Sequence, residues 1–171
     1  MNHLKYIILG AFLVLIQILI SGYINIWPML YIAVFPFVII ILPQQINKFL
    51  LLPVAFLLGI AVDFISDGIP GLNAAALTAL AFFKDPILKL LLSRTALENL
   101  SGVTEYTLGS SKFLLYTILM YSIFFLFYMG LDSFGYYSFG YTALRLIINV
   151  IANSFIAILF GKALAKQLFF R

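Results

Sequence analysis

An all-α membrane fold is what this sequence predicts, and three observations predict it: an excess of apolar residues, long runs without charge, and basic residues at the ends of those runs. Hydrophobic residues make up 64% of the 171-residue chain and charged residues 9%, against roughly 45–50% and about 25% in soluble domains. So little polar surface does not coat a core in water. Backbone inside lipid finds no hydrogen-bond partner there, so it must be helical or closed into a barrel. Barrel strands alternate apolar and polar residues over segments of roughly 10 residues. Phe113–Leu131 is instead an almost unbroken apolar run with no charge, which fits helices. The length suits one transmembrane domain, 1–171.

A hydrocarbon core about 30 Å thick is crossed by roughly 20 helical residues. Six such spans are predicted, at about 6–20, 27–42, 49–65, 72–83, 113–131 and 141–161, with a cytoplasmic loop at 84–112. The first, preceded by Lys5, looks like a secretory signal. It has no A-x-A-like cleavage site and leads into further spans, so it is expected to stay attached. Breaks between spans carry turn chemistry: Ser21-Gly22, Pro43-Gln44-Gln45, Asp67-Gly68-Ile69-Pro70-Gly71 and the stretch from Gly135 to Gly140. The fourth span is short, since twelve residues rise only about 18 Å. Either it extends outward through Gly71 while Lys84 snorkels, or the third and fourth spans form a re-entrant hairpin entered from the cytoplasm.

Orientation follows from the basic residues, which concentrate in cytoplasmic loops. Lys5, Lys48, Lys84, Lys89, Arg94, Lys112, Lys162, Lys166 and Arg171 all fall on one side of the six-span plan, and only Arg145 departs from it. Both termini are therefore expected in the cytoplasm. Tyr23, Trp27, Phe134, Tyr136, Tyr137, Phe139 and Tyr141 supply aromatic residues at the opposite boundary. The net charge of +4 is accounted for by this topology, and no nucleic-acid partner is expected.

Charged residues inside spans cost at least about 2.5–3.5 kcal/mol on insertion scales and so need a reason. Asp63 lies fourteen residues beyond Phe49, about 21 Å, and Arg145 seventeen residues before Lys162, about 26 Å. Similar depth predicts an Asp63–Arg145 ion pair between the third and sixth spans. Arg145, Asn149 and Asn153 recur every four residues and share one helical face. That stripe should face protein, either lining a solute path or fixing the packing of helices. Ala75 and Ala79 form a small-xxx-small pair suited to close helix approach. The polar stretch Ser93–Lys112 reads as a docking site for a cytoplasmic partner or as a solvated loop.

Enzyme chemistry has little to work with. The chain has no cysteine and a single histidine, His3, and neither H-E-x-x-H, G-x-S-x-G nor a P-loop occurs. Asp63 and Asp67 are four apart, as paired carboxylates on one face would be, but Asp67 also opens the Asp67-Gly68 turn. No catalytic residue, metal site or cofactor is expected.

Gly59-Ile60-Ala61-Val62-Asp63 followed by Gly68-Ile69-Pro70-Gly71-Leu72-Asn73-Ala74 resembles the rod shape-determining protein MreD family of bacteria. In that family a Gly-x-x-x-Asp helix leads through a Gly/Pro turn into a helix opening on Gly, an apolar residue and Asn or His. The Ile24-Asn25-Ile26-Trp27-Pro28 turn, the Tyr31–Pro43 stretch and Leu97–Lys112 are similar to the Bacteroidetes-type branch. The extra acid, Asp67, is a departure. The resemblance implies motif residues Gly59, Asp63, Gly71 and Asn73. It also implies a non-catalytic scaffold in the plasma membrane, working in lateral cell-wall synthesis with MreC, MreB, RodA and a class B penicillin-binding protein. The family is similar in helix arrangement to the S components of energy-coupling-factor vitamin transporters, which supplies a rival reading: a small-solute-binding transporter subunit. Against that rival, the first span lacks the Ala-x-x-x-Ala docking pattern and has only Gly10-Ala11.

Overall fold

The computed structural model describes residues 3–23, 29–67, 69–98, 100, 102–134 and 136–169. In chain order the helices are α1 (His3–Tyr23), α2 (Phe37–Ile41), α3 (Lys48–Val62), α4 (Leu72–Leu91), α5 (Arg94–Glu98), α6 (Glu105–Leu108), α7 (Ser110–Asp132) and α8 (Phe139–Phe169). A π-helical turn, Asp63–Asp67, continues α3. Among the described residues three helical stretches are long and apolar enough to cross a membrane: Lys48–Ile65, Ser110–Asp132 and Phe139–Lys162. α1 contributes a shorter apolar stretch, Ile8–Ser21.

Helix α4 packs between α3 and α7, and α7 packs in turn on α8. The core runs along these seams. From α7 it takes Phe113, Tyr116, Met120, Tyr121, Phe124 and Phe125, and from α4 Leu77, Leu80 and Leu88, all buried.

Three expectations are corrected. The second predicted span is not a continuous helix: within 29–42 only Phe37–Ile41 is helical, and before it residues 31–34 run as an extended segment whose alternate peptides face opposite sides, followed by a turn at Phe35-Pro36. Pro36 explains this, because its ring clashes with the carbonyl four residues back and it lacks the N–H a helix needs, so a helix can start at it but not run through it. Pro43 does the same at the other end, where Leu42 is extended (φ −56°, ψ 145°). The fourth span does not stop at Phe83. Its twenty residues give about 30 Å, and Lys84 is buried within it, donating to the Leu42 carbonyl at 2.7 Å. The 84–112 loop is correspondingly shorter. What remains is tied down: Leu100, Val103 and Leu108 are buried, Val103 N–H donates to Ile41 at 3.2 Å, and Thr104 and Thr107 form a capping box on α6.

The expected boundary at Trp27 with its Ile24–Pro28 turn, Gly68 and Gly135 in their turns, Asn99 and Ser101 in the polar loop, and Arg171 lie outside the described residues.

Candidate functional site

The motif residues meet at one junction, where α3 hands over to α4. A helix begins with backbone N–H groups that no intrahelical carbonyl accepts, and α4 begins on Gly71, which has no side chain to cap them and sits at φ +104°. Asp63, fully buried, supplies the cap from the end of α3. Its Oδ1 accepts from Asn73 N–H at 2.8 Å, and its Oδ2 from Gly71 and Ala74 N–H at 2.9 and 3.0 Å. The carboxylate also faces the positive end of the α4 dipole. Gly59, one turn earlier, makes room for this: a Cβ there would lie 2.4 Å from Ala74 Cα and 2.6 Å from Ala74 N. A close approach of α3 to α4 therefore runs through Gly59 and Ala74. The expected Ala75–Ala79 pair is only half-buried, at the rim of that face. The side chain of Asn73 points on to the next layer, where its Oδ1 accepts from the Tyr31 hydroxyl at 3.2 Å.

Tyr31 belongs to the extended segment, whose backbone is satisfied by side-chain amides. Asn149 accepts from Tyr31 N–H at 2.7 Å and donates to the Met29 carbonyl at 2.6 Å. Asn153 repeats the pattern one step on, accepting from Ala33 N–H at 2.7 Å and donating to the Tyr31 carbonyl at 2.8 Å. The register follows from two periods: four residues of helix rise about 6.0 Å and two residues of extended chain about 6.6 Å. An Asn every fourth residue on α8 thus meets every second peptide of a parallel extended strand. The alternate peptides face α1, where Gln17 accepts from Val34 N–H at 2.8 Å and donates to the Ile32 carbonyl at 2.9 Å. Ile32 is the residue whose helical partner Pro36 removes.

Further bonds close the segment at its far end. Tyr121 donates to Ala33, Tyr116 to Ile40 and Lys84 to Leu42, with oxygen–donor distances of 3.1, 3.1 and 2.7 Å. Tyr31 stacks on Tyr128 with ring centroids 4.8 Å apart.

The expected Asp63–Arg145 pair does not form. Arg145 Nη1 pairs with Asp132 at 2.8 Å across the α7–α8 turn, and Tyr137 and Tyr141 flank the guanidinium at 5.4 and 5.9 Å. Asp63 and Asn149 are still connected, through Asn73 and Tyr31. Asn149 and Arg145 meet through the Arg145 carbonyl, 2.8 Å from the Asn149 amide nitrogen. Sequence reasoning missed Gln17, Tyr31, Lys84 and Asp132. The signals for the first two were an amide in the middle of an apolar helix and a proline inside an apolar run.

Among the described residues no group of three His, Asp or Glu is placed to hold a metal ion. The side chains of Asp63, Gln17, Asn149 and Asn153 are directed at the chain's own backbone, a chemistry of positioning. Comparison of the chain with models of known protein families, with characterised proteins and with solved structures finds no match.

Proposed function

We propose that the chain is a multi-pass plasma-membrane scaffold of the bacterial cell-elongation machinery, acting with MreC, RodA, a class B penicillin-binding protein and MreB. In this reading the chain makes six crossings, arranged as in the S components of energy-coupling-factor transporters, with the extended segment and α2 serving as the second, and both termini face the cytoplasm. The observation that carries it is the junction: Gly59, Asp63, Gly71 and Asn73, the residues on which the resemblance rests, form one buried cap. A cap of that kind holds α3 and α4 in a fixed relation, which is what an adaptor between partners requires. The commitment of Asn149, Asn153 and Gln17 to backbone groups supports a packing role over the lining of a solute path.

Depletion in a rod-shaped host is expected to round the cells, and MreC is expected to copurify with the tagged protein. Unchanged shape and wall insertion on depletion overturns the proposal, and a vitamin bound to the purified protein selects the transporter reading instead.

A further inference from the structure

The Asp132–Arg145 end of the bundle holds donors that the fold does not use. Among the described residues, Arg145 makes a single side-chain hydrogen bond, through Nη1 to Asp132. Among the described residues its Nε, which is buried, finds no partner, and neither does the buried hydroxyl of Ser133, the residue next to Asp132 at the C-terminus of α7. Arginine carries its donors in a planar fork, and the edge formed by Nε and Nη2 matches two oxygens of a phosphate or carboxylate. Here Asp132 takes one end of the guanidinium and leaves that edge free. Leaving a buried donor unpaired is costly, so two of them, one on Arg145 and one on the residue that follows its ion-pair partner Asp132, ask for an acceptor.

The surroundings say which acceptor. Phe134, Tyr136 and Phe139 beside this cluster are 84%, 86% and 90% exposed. Aromatic rings so placed at the ends of apolar helices belong at the headgroup level of a bilayer. Tyr137, half-exposed, covers one face of the guanidinium, while a phosphate would approach in its plane; Nε is buried, so neighbouring side chains must shift for a ligand to reach it. We propose that Arg145 and Ser133 form a binding site for the phosphate of a phospholipid headgroup, with the neighbouring rings seated in the interface around it. The site rests on the reading that α7 and α8 cross the membrane, and is independent of which partners the protein has.

Native mass spectrometry of the intact protein in mild detergent tests this, with phosphatidylglycerol as the probe and diacylglycerol of the same chains as the tail-only control. Wild type is expected to retain phosphatidylglycerol. Ser133→Ala, which leaves the ion pair in place, and Arg145→Lys, which keeps the charge but loses the fork, are each expected to weaken retention about tenfold, the equivalent of one charge-assisted hydrogen bond. Thermal unfolding of each variant confirms that it is folded. Should Arg145→Lys fail to fold, Ser133→Ala decides alone. Equal retention by wild type and the folded variants, or equal retention of diacylglycerol, overturns the proposal. Inorganic phosphate protecting wild type, but not Ser133→Ala, as well as the lipid does would overturn the lipid as the source of the phosphate.

Discussion

Asp63 accepts three backbone N–H groups in a fully buried site. Removing the acceptor leaves those donors buried and unpaired, at about 1–3 kcal/mol each. Asp63→Ala is therefore expected to destabilise the protein by about 3 kcal/mol or more. Gly59→Ala drives a methyl group into backbone that cannot yield like a side chain and is expected to cost about 1–3 kcal/mol. Gly130→Ala is the control, since nothing lies within 4 Å of its added Cβ, and thermal unfolding in mild detergent compares the three. The identities of these residues were legible in the sequence; their purpose was not. A cap that reaches across eight to eleven residues leaves no local signature of the kind a Ser or Thr N-cap does. The mistaken Asp63–Arg145 pair has a similar cause. Counting rise along two helices gives depth but not direction around the axis, and Asp132 is only thirteen residues from Arg145 across a turn.

At the scale of elements, the extended segment depends on two rungs of one ladder. Asn149 and Asn153 both bond Tyr31, one at its N–H and the other at its carbonyl. Asn149→Leu and Asn153→Leu are each expected to destabilise by about 2 kcal/mol or more, since each leaves a donor and an acceptor unpaired. The double variant is expected to cost measurably less than the sum of the two, because once one rung is lost Tyr31 is no longer held for the other. A strictly additive double variant in the same unfolding assay would show the rungs to be independent. Long helices were legible from the apolar runs, and α7 and α8 extend only a few residues beyond their predicted starts. The second span was not, because hydropathy is blind to backbone conformation. Ala33-Val34-Phe35-Pro36-Phe37 is as apolar as any helix, and only Pro36 marks the break.

For the molecule as a whole, the proposed orientation puts the Ser133–Tyr136 turn and the Ser93–Ser111 stretch on opposite sides of the membrane. The absence of native cysteine makes this directly measurable. Single cysteines at exposed Tyr136 and Ser111 are expected to differ in intact cells: Tyr136→Cys reacts with an impermeant maleimide, and Ser111→Cys reacts only after lysis. The reverse result inverts the topology. The all-helical character, with long apolar helices, was the most legible level, since composition and charge-free runs of this kind leave few alternatives to helices. Helix-to-helix contacts were the least legible, because they turn on which face of each helix is occupied.

The amide ladder also has a consequence in time. Residues 29–35 leave the ribosome early, but two of the three amides that satisfy their peptides lie about 120 positions later. Until α8 arrives, those peptide groups have no partner on that side, and lipid supplies none. The extended segment therefore cannot reach its final form until α8 has been made. Helix α8 acts as the closing key of this segment's biogenesis, and a chain cut short before Asn149 is one that quality-control proteases should recognise as unfinished.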